Sequence, residues 1–304
     1  MRIIYLGTPD FAVPSLKILL DHGYEVPAVV TAPDKPGGRQ GVQQSAVKVF
    51  AAAHGLQVLQ PEKLKNPAFL DTLQSLKADL QVVVAFRMLP ESVWKMPPLG
   101  TLNLHASLLP KYRGAAPINW AVIRGETETG LTTFLLKHEI DTGDILLQER
   151  LSIGPDETAG ELHDRMMIAG ADLVLRTVQA IERRTAIPQP QPAGEATHAP
   201  KLFTENCQIN FFQPAAQVHN FIRGLSPYPG AWTVFDDKVF KILRAQQGES
   251  GAGNEGRLPG TFFSDGKNWL RISTSDGYVE VLELQMEGKR RMAVRDFLNG
   301  YRIN

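Results

Sequence analysis

The sequence has almost no cysteine, no net charge and no long apolar run. Cys207 is the single cysteine among 304 residues, which excludes an intramolecular disulfide and a metal site built from several thiolates. We therefore expect no bound metal. The 32 basic and 32 acidic side chains cancel, so the field of the whole molecule will not attract a polyanion, and any nucleic-acid site must be a local patch.

Signals for export or membrane insertion are also missing. The opening apolar run ends at Leu6 and is followed at once by Gly, Thr, Pro and Asp. Such a run is too short for the core of a signal peptide and far too short to span a bilayer. We expect a cytoplasmic protein without a membrane partner, and we expect it to act as a monomer.

Nucleotide-binding fingerprints are absent as well. The turn Gly7-Thr-Pro-Asp-Phe-Ala12 follows the first predicted strand but lacks the second and third glycines that let a dinucleotide pyrophosphate approach the backbone. No phosphate-binding loop ending in Gly-Lys-Ser or Gly-Lys-Thr occurs. These absences argue against a nucleotide-binding oxidoreductase and against nucleotide hydrolysis.

The first half does contain short β-branched runs alternating with longer stretches of helical period. This pattern is typical of parallel strands joined by crossover helices and predicts an α/β domain with a Rossmann-like open, mostly parallel sheet. The run Leu80–Phe86 is apolar on both faces and belongs in the middle of that sheet. The predicted strands are Arg2–Leu6, Val26–Thr31, Leu80–Ala85, Thr101–Leu104, Leu131–Leu136 and Ile145–Glu149, and the predicted helices are Val13–Asp21, Ser45–His54, Asn66–Leu76 and Gly160–Arg184.

A proline-rich segment separates this half from a region of different pattern. Its prolines stiffen the chain and withhold backbone donors, which suits a linker at residues 189–205 between domains at 1–188 and 206–304. Beyond it, short alternating strands lie between Gly- and Asp-rich turns and predict a small OB-like β-barrel. The clearest of these strands are Lys238–Leu243, Leu270–Ser273 and Tyr278–Leu284.

The segment Thr101–Gly114 carries the residues most suited to chemistry. Strand alternation places Asn103 and His105 on one face, at the carboxyl end of a predicted sheet strand, where ligands bind in open α/β sheets. An amide and an imidazole there can stabilise the oxyanion of an acyl or formyl transfer. An Asn and a His on a strand are, however, more often satisfied structural groups.

A second acidic and turn-rich segment runs from His138 to Asp144 between two predicted strands. A carboxylate from Asp141 or Asp144 can orient an imidazole and favour its charged form. Asp beside Gly is also common in turns for purely structural reasons. Spacing alone does not separate these two interpretations.

Together the motif Asn103-Leu-His105-Ala-Ser107-Leu108-Leu109-Pro110 and the later Asp141-Thr-Gly143 resemble the folate-dependent formyltransferases. The resemblance implies that Asn103, His105 and Asp141 are the catalytic residues and that Asp144 is a structural neighbour. The family's Leu-Pro bond corresponds to Leu109–Pro110, where a non-trans isomer would shape the site; the sequence does not report the isomer. The resemblance also implies 10-formyltetrahydrofolate as co-substrate. The implied folate contacts are Phe86, Arg87, Met88, Leu89, Ser107, Leu108, Leu109 and Pro110.

Other segments resemble the branch of that family that formylates methionyl initiator tRNA. They are the turn at Gly7–Ala12, the basic loop at Ala32–Gly41 with Lys35 and Arg39, and the last-domain turn with Lys289, Arg290 and Arg291. The resemblance implies that these basic residues contact tRNA and that residues 206–304 form a tRNA-binding domain. The loop departs from the family pattern at Gln40, Val42, Gln43 and Ala46.

Three alternatives remain open at this point. A sugar-nucleotide formyltransferase shares the catalytic trio and a similar two-domain layout. A glycinamide ribonucleotide enzyme needs no second domain, and this chain has one. A non-catalytic RNA-binding protein leaves Asn103, His105 and Asp141 without a purpose.

Overall fold

The computed structural model describes residues 1–36, 41–192, 194–248 and 256–303. The chain divides into two compact units, each built from three segments. The first contains residues 1–114, 130–151 and 163–198, and the second contains residues 115–129, 152–162 and 199–304. The domain boundaries at residues 188 and 206 stay a proposal.

Eight α-helices and seventeen strands can be named among the described residues. The helices are α1 Val13–Asp21, α2 Ala46–Ala53, α3 Pro67–Ser75, α4 Glu91–Trp94, α5 Pro117–Ile123, α6 Ala159–Glu182, α7 Ala215–Gly224 and α8 Val294–Gly300. The strands are β1 Ile3–Gly7, β2 Val29–Val30, β3 Lys35–Pro36, β4 Val42–Gln43, β5 Val58–Leu59, β6 Leu80–Val84, β7 Thr101–His105, β8 Arg113–Gly114, β9 Glu128–Leu135, β10 Ile145–Ser152, β11 His198–Ala199, β12 Ala231–Phe235, β13 Lys238–Gln247, β14 Phe262–Ser264, β15 Leu270–Ser273, β16 Tyr278–Met286 and β17 Met292–Ala293.

The first unit is built on a seven-stranded sheet in the order β10-β9-β7-β6-β1-β2-β5. The pairs β5–β2, β2–β1, β1–β6 and β6–β7 are parallel, and β9 runs antiparallel to β7. Every residue of β6 is buried, as the run of apolar residues on both of its faces predicted. The predicted Rossmann-like, mostly parallel sheet is therefore confirmed.

Local capping explains where two helices of this unit, α2 and α3, begin. The Ser45 hydroxyl accepts a hydrogen bond from the backbone N–H of Lys48, and the Asn66 side chain accepts one from Ala68. The predicted helix Val13–Asp21 matches α1. The predicted strand Val26–Thr31 shortens to β2, because Pro27 has no N–H to give to the ladder.

The second unit contains a curled antiparallel sheet in the order β12-β13-β16-β15-β14, with β17 beside β16. Its register shifts near Arg244, which is the kind of irregularity that bends a strand. The result is a half-barrel, which confirms the predicted small β-domain. Its apolar face packs on α7 and α8, and both helices were missed from the sequence.

Candidate active site

Strand β7 carries the first two candidate catalytic residues to the carboxyl end of the parallel sheet. Its neighbours β6 and β9 hold it from both sides, with Asn103 opposite Val83 and Phe134. Asn103 is half-buried, and its side-chain amide makes no hydrogen bond to any group that the structure describes. Side-chain amides removed from water normally have a hydrogen-bond partner. Because the Asn103 amide has none among the described groups, it is available to a ligand.

The His105 imidazole is nearly buried, and each of its two nitrogens has a distinct neighbour. Nε2 lies 2.8 Å from the carbonyl oxygen of Tyr112. A carbonyl only accepts, so Nε2 carries a proton and donates it there. Nδ1 lies 3.8 Å from Oδ2 of Asp141. Since Nε2 is committed to Tyr112, Nδ1 is the nitrogen at which His105 can gain or lose a proton.

Asp141 reaches this position from a tight turn between β9 and β10. Its backbone is left-handed, with φ of 54°, and its Oδ2 accepts a hydrogen bond of 2.9 Å from the backbone N–H of Gly114. Glycine is required at position 143, because a Cβ there would lie 1.7 Å from the carbonyl oxygen of Leu135. Asp144 instead pairs with Lys137 at 2.6 Å on the surface. The structure thus brings Asp141, and not Asp144, to His105.

A buried hydroxyl makes three hydrogen bonds at the loop after β7. Thr132 Oγ1 donates to the Ser107 carbonyl at 2.6 Å and accepts from the Leu109 N–H at 3.1 Å and from Gln148 Nε2 at 2.9 Å. The Leu109–Pro110 peptide bond is cis. Ser107 and Leu109 are buried, so the candidate folate contacts from this loop are its backbone and the half-buried side chain of Leu108.

The second set of candidate folate contacts follows β6. None of the backbone N–H groups from Phe86 to Leu89 donates to another group that the structure describes. The Arg87 guanidinium donates to the carbonyls of Pro61 and Glu62, which braces the segment from outside. Met88 is 72% exposed and Leu89 is buried. These free backbone N–H groups can donate hydrogen bonds to the polar edge of a folate ring.

The basic candidates lie at two places. Lys35 is exposed in β3, which pairs with β4, whereas Arg39 and Gln40 fall outside the described residues. Asp34, immediately before β3, accepts a hydrogen bond from Lys48, which lowers the pKa of the Asp34 carboxyl. In the last domain, Arg291 pairs with Glu283, while no carboxylate that the structure describes pairs with Lys289 or Arg290.

Several residues around the site were not singled out from the sequence. They are Tyr112, which accepts from His105, Thr132 and Gln148, which hold the Ser107 loop, and Gln191, which binds the Asp141 turn. No local signal identifies a residue that acts through its backbone carbonyl or through a partner 50 positions away. The prolines on either side of Gln191 predict a spacer and give no sign of its partners.

The described residues show neither a metal-binding cluster nor a membrane-spanning helix. Within the described ranges, no three His, Cys, Asp or Glu side chains cluster in a way that would hold a metal ion. Over those ranges, too, every helix is either too short or too polar to cross a bilayer.

Comparison with known proteins places both halves of the chain in one family. A family model described as formyl transferase matches residues 1–178, and one described as formyl transferase, C-terminal domain, matches residues 201–302. The curated methionyl-tRNA formyltransferase of Phocaeicola vulgatus is 53% identical over 313 residues, covering 100% of this chain and 97% of its own length. That of Parabacteroides distasonis is 51% identical over 311 residues, covering 99% and 96%.

A solved structure supports the same fold. The N-formyltransferase from Helicobacter canadensis, in complex with folinic acid and dTDP-3-aminofucose, aligns with a TM-score of 0.71 and covers 96% of this chain and 100% of its own. At 20% identity, this similarity shows the fold and not the acceptor. The two family matches and the full-length relatives show that the chain belongs to the formyl transferase family, and within it to the methionyl-tRNA formyltransferases.

Proposed function

We propose that the chain transfers the formyl group of 10-formyltetrahydrofolate to the free amino group of methionyl initiator tRNA in the cytoplasm, acting as a single chain. One observation carries this proposal. The unpartnered amide of Asn103 and the His105–Asp141 pair occupy the carboxyl end of a central strand. They do so in a chain 51–53% identical, over its full length, to curated methionyl-tRNA formyltransferases.

The three polar residues divide the chemistry between them. The amine nitrogen attacks the formyl carbon, and the carbonyl π electrons move onto the formyl oxygen. Asn103 donates to that oxyanion from its amide nitrogen, and protonated His105 donates from Nδ1 because its Nε2 is bound to Tyr112. As the bond from formyl carbon to folate nitrogen breaks, the proton lost by the amine replaces the formyl group on that nitrogen.

Asp141 supports the charged form of His105. Its Oδ2 lies 3.8 Å from Nδ1, and its side chain is only 13% exposed, so water screens the attraction weakly. The Gly114 N–H bound to the same oxygen prevents the carboxylate from turning away. Asp141 thus holds a negative charge beside the imidazole that donates to the oxyanion.

The two substrates approach from different parts of the chain. We assign the folate ring edge to the free backbone donors of Phe86–Leu89 and to the loop at Ser107–Pro110, which surrounds the carboxyl end of the same strands. We assign the phosphates of tRNA to Lys35 and Arg39 in the first unit and to Lys289, Arg290 and Arg291 in the second. Phosphate contacts of this kind supply most of the affinity for nucleic acid.

A single assay tests this function. The purified chain is incubated with 10-formyltetrahydrofolate and methionyl initiator tRNA, uncharged initiator tRNA or an amino-sugar nucleotide, and the formylated product is identified by mass spectrometry. We expect formyl-methionyl-tRNA and no product from uncharged tRNA. Formylation of the sugar nucleotide without formylation of methionyl-tRNA would replace the proposed acceptor. Loss of the product in Asn103→Ala serves as the control for non-enzymatic transfer.

A further inference from the structure

The proline-rich segment between positions 188 and 198 makes hydrogen bonds to the backbone around the candidate catalytic residues. The Gln189 backbone exchanges two hydrogen bonds of 2.8 Å with Ile145, at the end of the turn that carries Asp141. Two residues further on, the Gln191 side chain reaches the turn itself. A segment that only spaced two domains would have no such partners.

The Gln191 carboxamide makes four hydrogen bonds, and only one orientation of the amide allows them. Its Nε2 donates to the carbonyl of Asp141 at 2.8 Å and to that of Gly143 at 2.9 Å. Its Oε1 accepts from Nε of Arg113 at 3.1 Å and also from Nη2. Carbonyls only accept and a guanidinium only donates, so a flipped amide would lose all four bonds.

These bonds act where the Asp141 turn needs support. Asp141 adopts a left-handed φ of 54°, a conformation that non-glycine residues rarely hold without surrounding constraints. Gln191 holds the carbonyl of Asp141 and that of the glycine two positions later. The position of the Asp141 carboxylate, and therefore its 3.8 Å separation from His105, depends on this turn.

The same segment also supports the opposite side of the pair. Thr197 Oγ1 accepts a hydrogen bond of 2.8 Å from the backbone N–H of Tyr112, and its carbonyl accepts one of 2.9 Å from Arg113. The carbonyl of Tyr112 in turn accepts from Nε2 of His105. One side chain of the segment thus supports Asp141, and another supports the acceptor that orients His105.

We propose that Gln191 is a positioning residue for formyl transfer that holds Asp141 against His105, with Thr197 holding the Tyr112 carbonyl behind the imidazole. Neither residue touches the reacting atoms. This inference rests on the proposed function, because it assigns both residues to the reaction carried out by that pair.

Substitutions with matched controls separate this role from simple packing. Gln191→Ala and Gln191→Glu remove the donors to the Asp141 turn, and Gln191→Glu keeps the acceptor for Arg113. We expect kcat to fall on the order of tenfold to a hundredfold with little change in KM, as for a catalytic group displaced by about an ångström. Gln189→Ala should retain wild-type kcat, because that exposed side chain makes no bond among the described residues. Thr197→Val should lose activity, and Thr197→Ser should retain it.

The decisive measurement is a double-mutant cycle with Asp141→Asn. If Gln191 acts through Asp141, adding Gln191→Ala to Asp141→Asn should lower kcat only a little further. A full additional loss there would overturn the proposal, and so would equal activity of Thr197→Val and wild type. If Gln191→Ala does not fold, Gln191→Glu and the Thr197 pair provide the same comparison.

A measurement without turnover keeps the inference separate from the proposed function. The ring ¹⁵N signals of His105 should move in Gln191→Ala in the direction seen for Asp141→Asn, and should not move in Gln189→Ala. A wild-type chain that formylates no acceptor would defeat the proposed function, whereas these signals still test the positioning. Unmoved His105 signals in Gln191→Ala would defeat the positioning role.

Discussion

Nδ1 of His105 lies 3.8 Å from Oδ2 of Asp141, which is the separation of an ion pair and longer than a hydrogen bond. The other imidazole nitrogen is committed to the Tyr112 carbonyl. His105 therefore presents a single exchangeable position, and that position faces a carboxylate. Catalytic contacts of this kind often shorten only when substrate is bound.

Removing either oxyanion donor should abolish most of the activity. We expect Asn103→Ala and His105→Ala each to lower kcat by about a hundredfold to a thousandfold, because they act on charge that develops in the transition state. Folate binding, measured by calorimetry, and the circular dichroism spectrum should hardly change. His54→Ala, which removes an exposed imidazole, is the control. Near-wild-type turnover in both variants would rule out the assignment.

Neutralising Asp141 should lower the rate of formyl transfer. Asp141→Asn removes the negative charge that lies 3.8 Å from Nδ1 of His105, so kcat measured in the formyl-transfer assay should fall. Asp144→Asn is the matched control, since it breaks only a surface pair with Lys137 that is worth about 0–1 kcal/mol. An unchanged kcat in Asp141→Asn would make Asp141 structural.

The basic residues should differ in their effect on tRNA. Alanine at Lys35, Arg39, Lys289 or Arg290 should raise KM for tRNA and reduce the salt slope of binding by about one per lost phosphate contact. Arg39→Ala should be the most severe, because a loop that also positions the acceptor end affects kcat. Arg291→Ala should be milder than Arg290→Ala, because Arg291 is paired with Glu283.

Filter binding at several salt concentrations checks these expectations, with folate affinity as the internal control. Lys65→Ala, at an exposed lysine outside both basic segments, should leave the slope unchanged. If the combined variant formylates methionyl-tRNA with wild-type efficiency and an unaltered slope, these segments do not read tRNA. The amino-sugar nucleotide would then become the stronger candidate acceptor.

Acid should destabilise the chain through His219. Burial lowers the pKa of this imidazole, the charge of Arg223 adds to the effect, and Asp156 opposes it. The unfolded imidazole titrates near 6.5, so below that pH the unfolded state binds the proton first and the folded state loses stability as pH falls. We expect thermal midpoints to drop between pH 7.5 and pH 5 less steeply in His219→Gln than in wild type. Parallel curves for the two proteins would contradict this.

The sequence by itself determined the features that arise from local periodicity. The apolar run at Leu80–Val84 required burial on both faces, and alternation alone put Asn103 and His105 on one face of a strand. Capping side chains at Ser45 and Asn66 sit where the helices begin. These outcomes depend on neighbours within a few residues, so the sequence contains the necessary information.

Only the tertiary structure decided which distant groups meet. Residue type and spacing do not separate Asp141 from Asp144, and the left-handed turn places the first near His105 and leaves the second with Lys137. Gln191, 50 residues beyond Asp141, binds its carbonyl. The proline-rich pattern describes the stiffness of that segment and not its partners, because long-range pairing depends on how the sheet and its loops close in space.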